Sequence, residues 1–270
     1  MQERLIRLLE TIAGAASPLS ASELAKVTGV PRATIYRHLT SLVECGFVEM
    51  TECGNRYILG IRFVKIALTG KSDTHVINAV SANLQNLVKD LGETAFLARF
   101  RGGRVDLIHI EIPRNPAMSY VYPGLGPKPA HACSAGKAIA AFVAPELRDE
   151  LLETAPIRFT PNTIIDPDLI ERDLEQVRRY GYAICDGEIE EGVASVAVPV
   201  NIDRLGGIFS IGVVGPSNRI LPAVQNRILP VLKGEAVPAA AAIQHCSVVD
   251  AETTNATTLA AAKEARHATH

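Results

Sequence analysis

The chain has no apolar run of about 18 residues, the length a helix needs to cross a bilayer, so no transmembrane segment is expected. Met1, Gln2, Glu3 and Arg4, with the mixed residues after them, lack the pattern of a signal peptide, and the expected location is the cytoplasm. The five cysteines, Cys45, Cys53, Cys133, Cys185 and Cys246, are scattered and form no Cys-x-x-Cys pair. That argues against a disulfide framework or a structural zinc site and leaves buried free thiols as the expectation. No internal repeat is apparent. An excess of positive charge is missing too: 27 Lys and Arg face 29 Asp and Glu, for a net charge of −2. Residues 1–60 balance at six cations against six anions. Affinity for nucleic acid scales with the phosphates neutralised, so a DNA binder built this way would need two or more copies acting together.

What is present is a chain of 270 residues, 47% of them hydrophobic, which points to two folded domains. Residues 19–47, LSASELAKVTGVPRATIYRHLTSLVECGF, have the grammar of a helix-turn-helix. Ser20 and Glu23 stand at capping-box spacing, Gly29 is placed to end the first helix, and Pro31 to open the second. Ile35, Leu39, Leu42 and Val43 then form a core-facing stripe. The opposite face offers Ala33, Thr34, Arg37, Thr40 and Ser41, flanked by Arg32 and Tyr36. Small, hydroxylated and cationic side chains suit a helix lying in a DNA major groove. Arg37 and Thr40 are placed to read bases, and Arg32, Thr34, Tyr36 and Ser41 to set register on phosphate. The plainer alternative is a helical hairpin with a solvated outer face.

A helix over residues 1–14 should cover this hairpin. Two short alternating segments around Gly54 and Asn55 predict a β-hairpin, which completes a winged helix-turn-helix over 1–60. Arg56 would either touch phosphate from the wing or solvate the turn. Residues 61–73 read as a linker helix, and 75–91 as a long periodic helix ending at Gly92. Strands are expected at 94–100, 105–112, 118–122, 182–186, 193–200 and 208–214, and helices at 145–153, 167–180 and 222–245. The helices at 75–91 and 167–180 are expected on one side of an antiparallel sheet, an α+β domain over 74–246 suited to a small ligand. Residues 247–270 lack periodicity and read as a disordered tail. Between 130 and 138, small residues open a helix after an irregular loop, which makes a ready anion site. The glycine spacing there is not that of a Walker loop and no Ser or Thr follows Lys137, so no cofactor is expected.

Along residues 2–245 the chain resembles the IclR-type transcriptional regulators. The resemblance rests on the helix-turn-helix stretch, then YILG at 57–60, HACSAGKAIAAF, TPNTIID, LEQVRRYGYAICDGEIEEGVASVAVPV and SIGVVGP, in that order and spacing. It implies a winged helix, a linker helix and a GAF-like effector domain. It also implies homodimers or homotetramers on palindromic double-stranded operator DNA, governing operons for catabolism of small organic or aromatic acids. A repressor is expected rather than an activator. By the same resemblance, backbone N–H groups at Cys133, Ser134, Ala135 and Gly136 hold the effector's carboxylate. Cys185 next to Asp186, Val193, Ser195, and Gly212 with Val214 line the rest of the pocket. The chain departs from the family's pattern at Ser195, where cysteine is common, and at Cys185, where an acid is common. Gly212 and Val214 stand where some relatives carry hydroxyls. With Ala130, Ala132 and Gly212 all small, a roomier pocket and a bulkier acid are expected.

Other readings compete. Cys133, Cys185 and His131 invite a thiol- or serine-dependent hydrolase, but nothing supplies a third group to orient a base, and the chain is expected not to be an enzyme. His75, His109 and His131 with Asp106 and Glu111 fit no familiar metal spacing. Arg99, Arg101, Arg104 and Arg114 read as a solvated hairpin edge from which one arginine could reach a ligand. A DNA-binding oligomer with no ligand is the remaining alternative.

Overall fold

The computed structural model describes residues 2–51, 54–60, 62, 63, 66, 70, 72–115, 121–143, 145–202 and 206–245. The chain divides into two compact units, Met1–Gly70 and Lys71–His270.

In the first unit, α1 (Gln2–Ala13), α2 (Ala21–Thr28) and α3 (Arg32–Glu44) pack around Leu8, Ile12, Leu24, Ile35, Leu39 and Leu42. The local signals act as their chemistry dictates. Ser20 Oγ accepts from the Glu23 N–H, and the Glu23 carboxylate accepts from the Ser20 N–H, closing a reciprocal capping box. Gly29 leaves α2 at φ 69°, in the left-handed region that glycine enters without strain. The wing is a three-stranded sheet, not a bare hairpin: β1 (Leu19–Ser20) pairs with β3 (Arg56–Leu59), which pairs with β2 (Val48–Met50). Arg62, Phe63 and Ile66 lie in helical backbone, Gly70 is in a turn, and Ser72 and Asp73 already open the next helix; residues 61, 64, 65, 67–69 and 71 of the expected linker helix, the wing residues 52–53 and the tail from 246 fall outside the described residues.

The second unit is built on a six-stranded antiparallel sheet, order β6-β5-β4-β9-β8-β7. Its strands are β4 (Thr94–Arg101), β5 (Arg104–Glu111), β6 (Gly126–Lys128), β7 (Ala183–Asp186), β8 (Val193–Ile202) and β9 (Gly206–Pro216). The helices are α4 (Asp73–Leu91), α5 (Ser134–Phe142), α6 (Pro145–Leu152), α7 (Pro167–Tyr180), α8 (Ser217–Ala223) and α9 (Leu229–His245), with a π-turn at Val224–Ile228. The one-sided sheet expected from the sequence is corrected here. Helices α4 and α9 cover one face, α5 covers the other, and α7 packs on α5, so α4 and α7 lie on opposite sides. The residues of β4, β8 and β9 are buried on both faces, which one layer of helices cannot achieve. The expected strand at 118–122 falls largely outside the described residues. Val121 and Tyr122 are irregular, residues 116–120 are outside the described set, and the edge strand is β6.

Candidate functional site

Two places carry chemistry. On α3, Ile35, His38, Leu39 and Leu42 are buried, while Arg32, Tyr36, Arg37, Thr40 and Ser41 are exposed and Thr34 is half-buried. The outer face is therefore continuous and polar, as a groove-entering helix requires. The Arg32 guanidinium lies 5.6 Å from the centre of the Tyr36 ring, so the two side chains hold each other. The Thr40 hydroxyl donates to the Tyr36 carbonyl at 3.0 Å. Its proton is thus used within the helix, leaving its oxygen and methyl group to face outward. Arg56, for which two roles stood open, donates to the Pro18 carbonyl at 2.5 Å and sits 3.5 Å from Glu23. It ties β3 to the start of α2.

The second place is a cavity of about 160 Å³ in the sheet domain. A cavity of this size, ~150 Å³, accommodates a single benzene ring. Cross-strand register places Cys185, Ser195 and Val214 in one row on the face that α5 covers. The start of α5 lies over that row: Ser134 Oγ is 2.7 Å from Ser195 Oγ, and the Ser210 hydroxyl donates to the Ala135 carbonyl. Cys133, Ser134, Ala135, Cys185, Val193 and Ser195 line the cavity together with Val214, Phe96, Leu107 and the strap residues Val121, Tyr122, Pro123 and Lys128. The first N–H groups of α5, those of Ser134 and Ala135, have no carbonyl within their own helix.

Three residues expected in the pocket are absent from this lining. Gly136 gives its N–H to Cys133 Sγ at 3.2 Å, and a Cβ there would come within 2.6 Å of the Ala130 Cα. It is a glycine because the preceding loop crosses it closely. Asp186 is exposed, since the strand alternation that turns Cys185 inward turns its neighbour out. Gly212 does not enlarge the pocket. The Phe96 ring lies across it, and a Cβ would stand 2.4 Å from that ring and 2.3 Å from the Val196 carbonyl oxygen.

Three of the four arginines offered for a ligand are paired elsewhere. Arg99 and Arg101 both pair with Asp73 on α4, across the sheet from the pocket, and Arg104 pairs with Asp106. Arg114 lines a separate surface groove. His109 pairs with Glu111, and no three His, Cys, Asp or Glu side chains gather at a metal site among the described residues. Lys137, which the sequence offered only as evidence against a Walker loop, is the centre of a buried triad. Its Nζ lies 2.7 Å from Asp173 and 2.6 Å from Glu188. Burial opposes its charge, but Glu188 and Asp173 outweigh that and hold its pKa above the ordinary lysine value. A lysine inside SAGKAIAAF, an otherwise small and apolar helix, was the signal for it.

A catalytic reading fails on the same geometry. Burial pushes the Cys133 thiol up to about 12, only partly offset by the Gly136 N–H, and burial likewise raises Cys185. Both are therefore thiols rather than thiolates at neutral pH. The His131 ring nitrogen Nε2 donates to the Ile157 carbonyl at 2.9 Å, and the ring stacks on Phe159, which is the setting of a hydrogen-bonded loop histidine.

A winged helix carried on one chain with a pocketed sheet domain is the build of a one-component transcription regulator. Two family models match: the bacterial transcriptional regulator IclR C-terminal domain over residues 70–241, and the IclR helix-turn-helix domain over residues 3–52. The chain belongs to the IclR family, whose members are DNA-binding transcriptional regulators and not enzymes. It is 30% identical to the glycerol operon regulatory protein of Streptomyces griseus, across 82% of this chain and 86% of that one. It is 28% identical to the transcriptional repressor IclR of Escherichia coli, across 80% of each. Among solved structures it is similar to an IclR homologue from Microbacterium hydrocarbonoxydans complexed with 4-hydroxybenzoate, with TM-score 0.54 and 26% identity over 90% of this chain and 98% of that one. No helix among the described residues is long and apolar enough to cross a membrane.

Proposed function

We propose that this protein is a repressor whose hold on its operator is set by a small organic or aromatic acid bound in the sheet-domain cavity. It acts in the cytoplasm as a homodimer or homotetramer, on a palindromic operator of a catabolic operon. The observation that carries the reading is the cavity itself: room for about one ring, apolar walls, and one end formed by the opening N–H groups and hydroxyls of α5 and β8. The 4-hydroxybenzoate held by the Microbacterium relative supports an aromatic acid as the kind of ligand. On the DNA side, Arg37 and Thr40 read bases while Arg32, Thr34, Tyr36 and Ser41 fix register. An effector changes operator binding only as far as it prefers one conformation of the protein over another, so the ligand must bind the operator-free and operator-bound forms unequally.

The test is thermal unfolding against a panel of small aliphatic and aromatic acids. A ligand at a hundred times its dissociation constant adds about 2.7 kcal/mol, so a true effector raises the midpoint plainly. Ser134→Asp, which sets a negative charge at the opening of α5, should abolish that response and leave operator binding intact. A variant that still responds normally would refute the assignment of the carboxylate to this helix start.

A further inference from the structure

The described lining of the cavity holds a single cation, Lys128, and one acid, Glu190. Lys128 ends β6 and is half-buried. Its Nζ donates to the Pro123 carbonyl at 2.8 Å and lies 3.9 Å from where a Cβ on Gly124 would stand, so the strap from Val121 to Lys128 folds around the ammonium group. An ammonium carries three donors. Pro123 takes one, and no carboxylate pairs with Lys128 among the described residues. The side chain also lines the neighbouring surface groove, which places it in the wall shared by pocket and groove. A ligand in the cavity therefore meets a positive charge with donors to spare, apolar walls at Phe96, Leu107, Val193 and Val214, and one negative charge at Glu190.

We propose that Lys128 determines the pocket's specificity, pairing its ammonium with the same carboxylate that meets the start of α5, in a monoanionic effector that has a compact apolar body. This rests on the acid-responsive function proposed above and narrows it: the described lining offers one cation, so a monoacid is preferred over a diacid, whose second carboxylate would meet Glu190 instead. Hydrogen bonds to an ionised partner are the strong ones, and removing this one should cost roughly 10- to 100-fold in affinity.

The experiment is calorimetric titration of the full chain with acid and amide pairs: propionate and propionamide, benzoate and benzamide, phenylacetate and phenylacetamide. Wild type should prefer at least one acid over its amide by about tenfold or more. Lys128→Met should erase that preference by weakening the acid alone, with amide affinity and unfolding temperature unchanged, and Lys128→Arg should keep it. If Lys128→Met retains the wild-type preference, the role of Lys128 is overturned while the acid-responsive reading stands. If Lys128→Met weakens acid and amide alike, the side chain only shapes the pocket, and the proposal is again overturned. If wild type binds none of the acids, the reading on which the proposal rests fails and takes it along.

Discussion

Arg37 is exposed on the outer face of α3, and no ion pair engages it among the described residues, whereas Arg32 is held against Tyr36 and Arg56 against Pro18 and Glu23. It is the cation on that face with most freedom to adjust to a base edge. Arg37→Ala should cost about 1–3 kcal/mol in operator affinity and relax the requirement at one base pair, read by anisotropy titrations against operator variants. Unchanged affinity would remove Arg37 from base contact. The buried groups give a prediction in pH. The Lys137 pKa is raised above 10.5, so its contribution is full below that value and is lost as pH climbs through the higher folded value. Cys133 is raised from 9.0 to about 12, so between those values the unfolded chain sheds a proton that the folded chain keeps. Both effects have one sign. Stability measured by urea unfolding should hold steady through neutral pH and fall above about pH 9, with Cys133→Ala blunting the first part of the fall. A stability that rises in that range would contradict the burial of both groups. Arg37 was legible because helical spacing alone sets it on the outer face. Lys128 was not, since a lysine between Pro127 and Pro129 carries no periodic signal. Nor was the pairing of Arg99 with Asp73, which only the tertiary fold brings together.

Secondary structure was most legible where a chemical signal marks its boundary. The capping box at Ser20 and Glu23, the left-handed glycines Gly29, Gly92 and Gly181, and Pro167 at the start of α7 all act as their chemistry requires. Ser20→Ala removes one half of the capping box and should destabilise the winged helix by about 1 kcal/mol, measured by thermal unfolding of the full chain. A neutral substitution would mean that the Glu23 half suffices. Two features escaped. Strand β1 is two residues long and exists only because β3 pairs with it. The placement of α4 and α7 on opposite faces was written in the strands rather than in the helices. TAFLARF and VASVAVPV are almost continuously buried, the mark of a sheet covered on both sides, but an amphipathic helix does not announce which face it covers. Gly212 misled for a related reason. A small residue on a pocket-facing row suggests space, and only the cross-strand neighbour, Phe96, shows that the space is filled.

At the scale of the whole molecule, order and spacing of motifs along most of the chain were enough to identify the family, because they record two domains at once. The shape of the cavity was not legible in them, because it depends on side chains, such as Phe96 lying over Gly212, that meet only in the folded sheet domain. The near-neutral charge of residues 1–60 leaves modest phosphate affinity per protomer, which the homodimer or homotetramer proposed above would make up. Paired copies of α3 should select a palindrome with half-sites about 34–36 Å apart, or a multiple of that. The measurement that tests the account most directly is the affinity of the full chain for operator DNA selected from a random pool, taken with and without a saturating acid found by thermal shift. The account predicts a palindromic site bound through α3, with an affinity that changes at least severalfold when the acid is present. Equal affinity in both conditions, with the acid demonstrably bound, would contradict it.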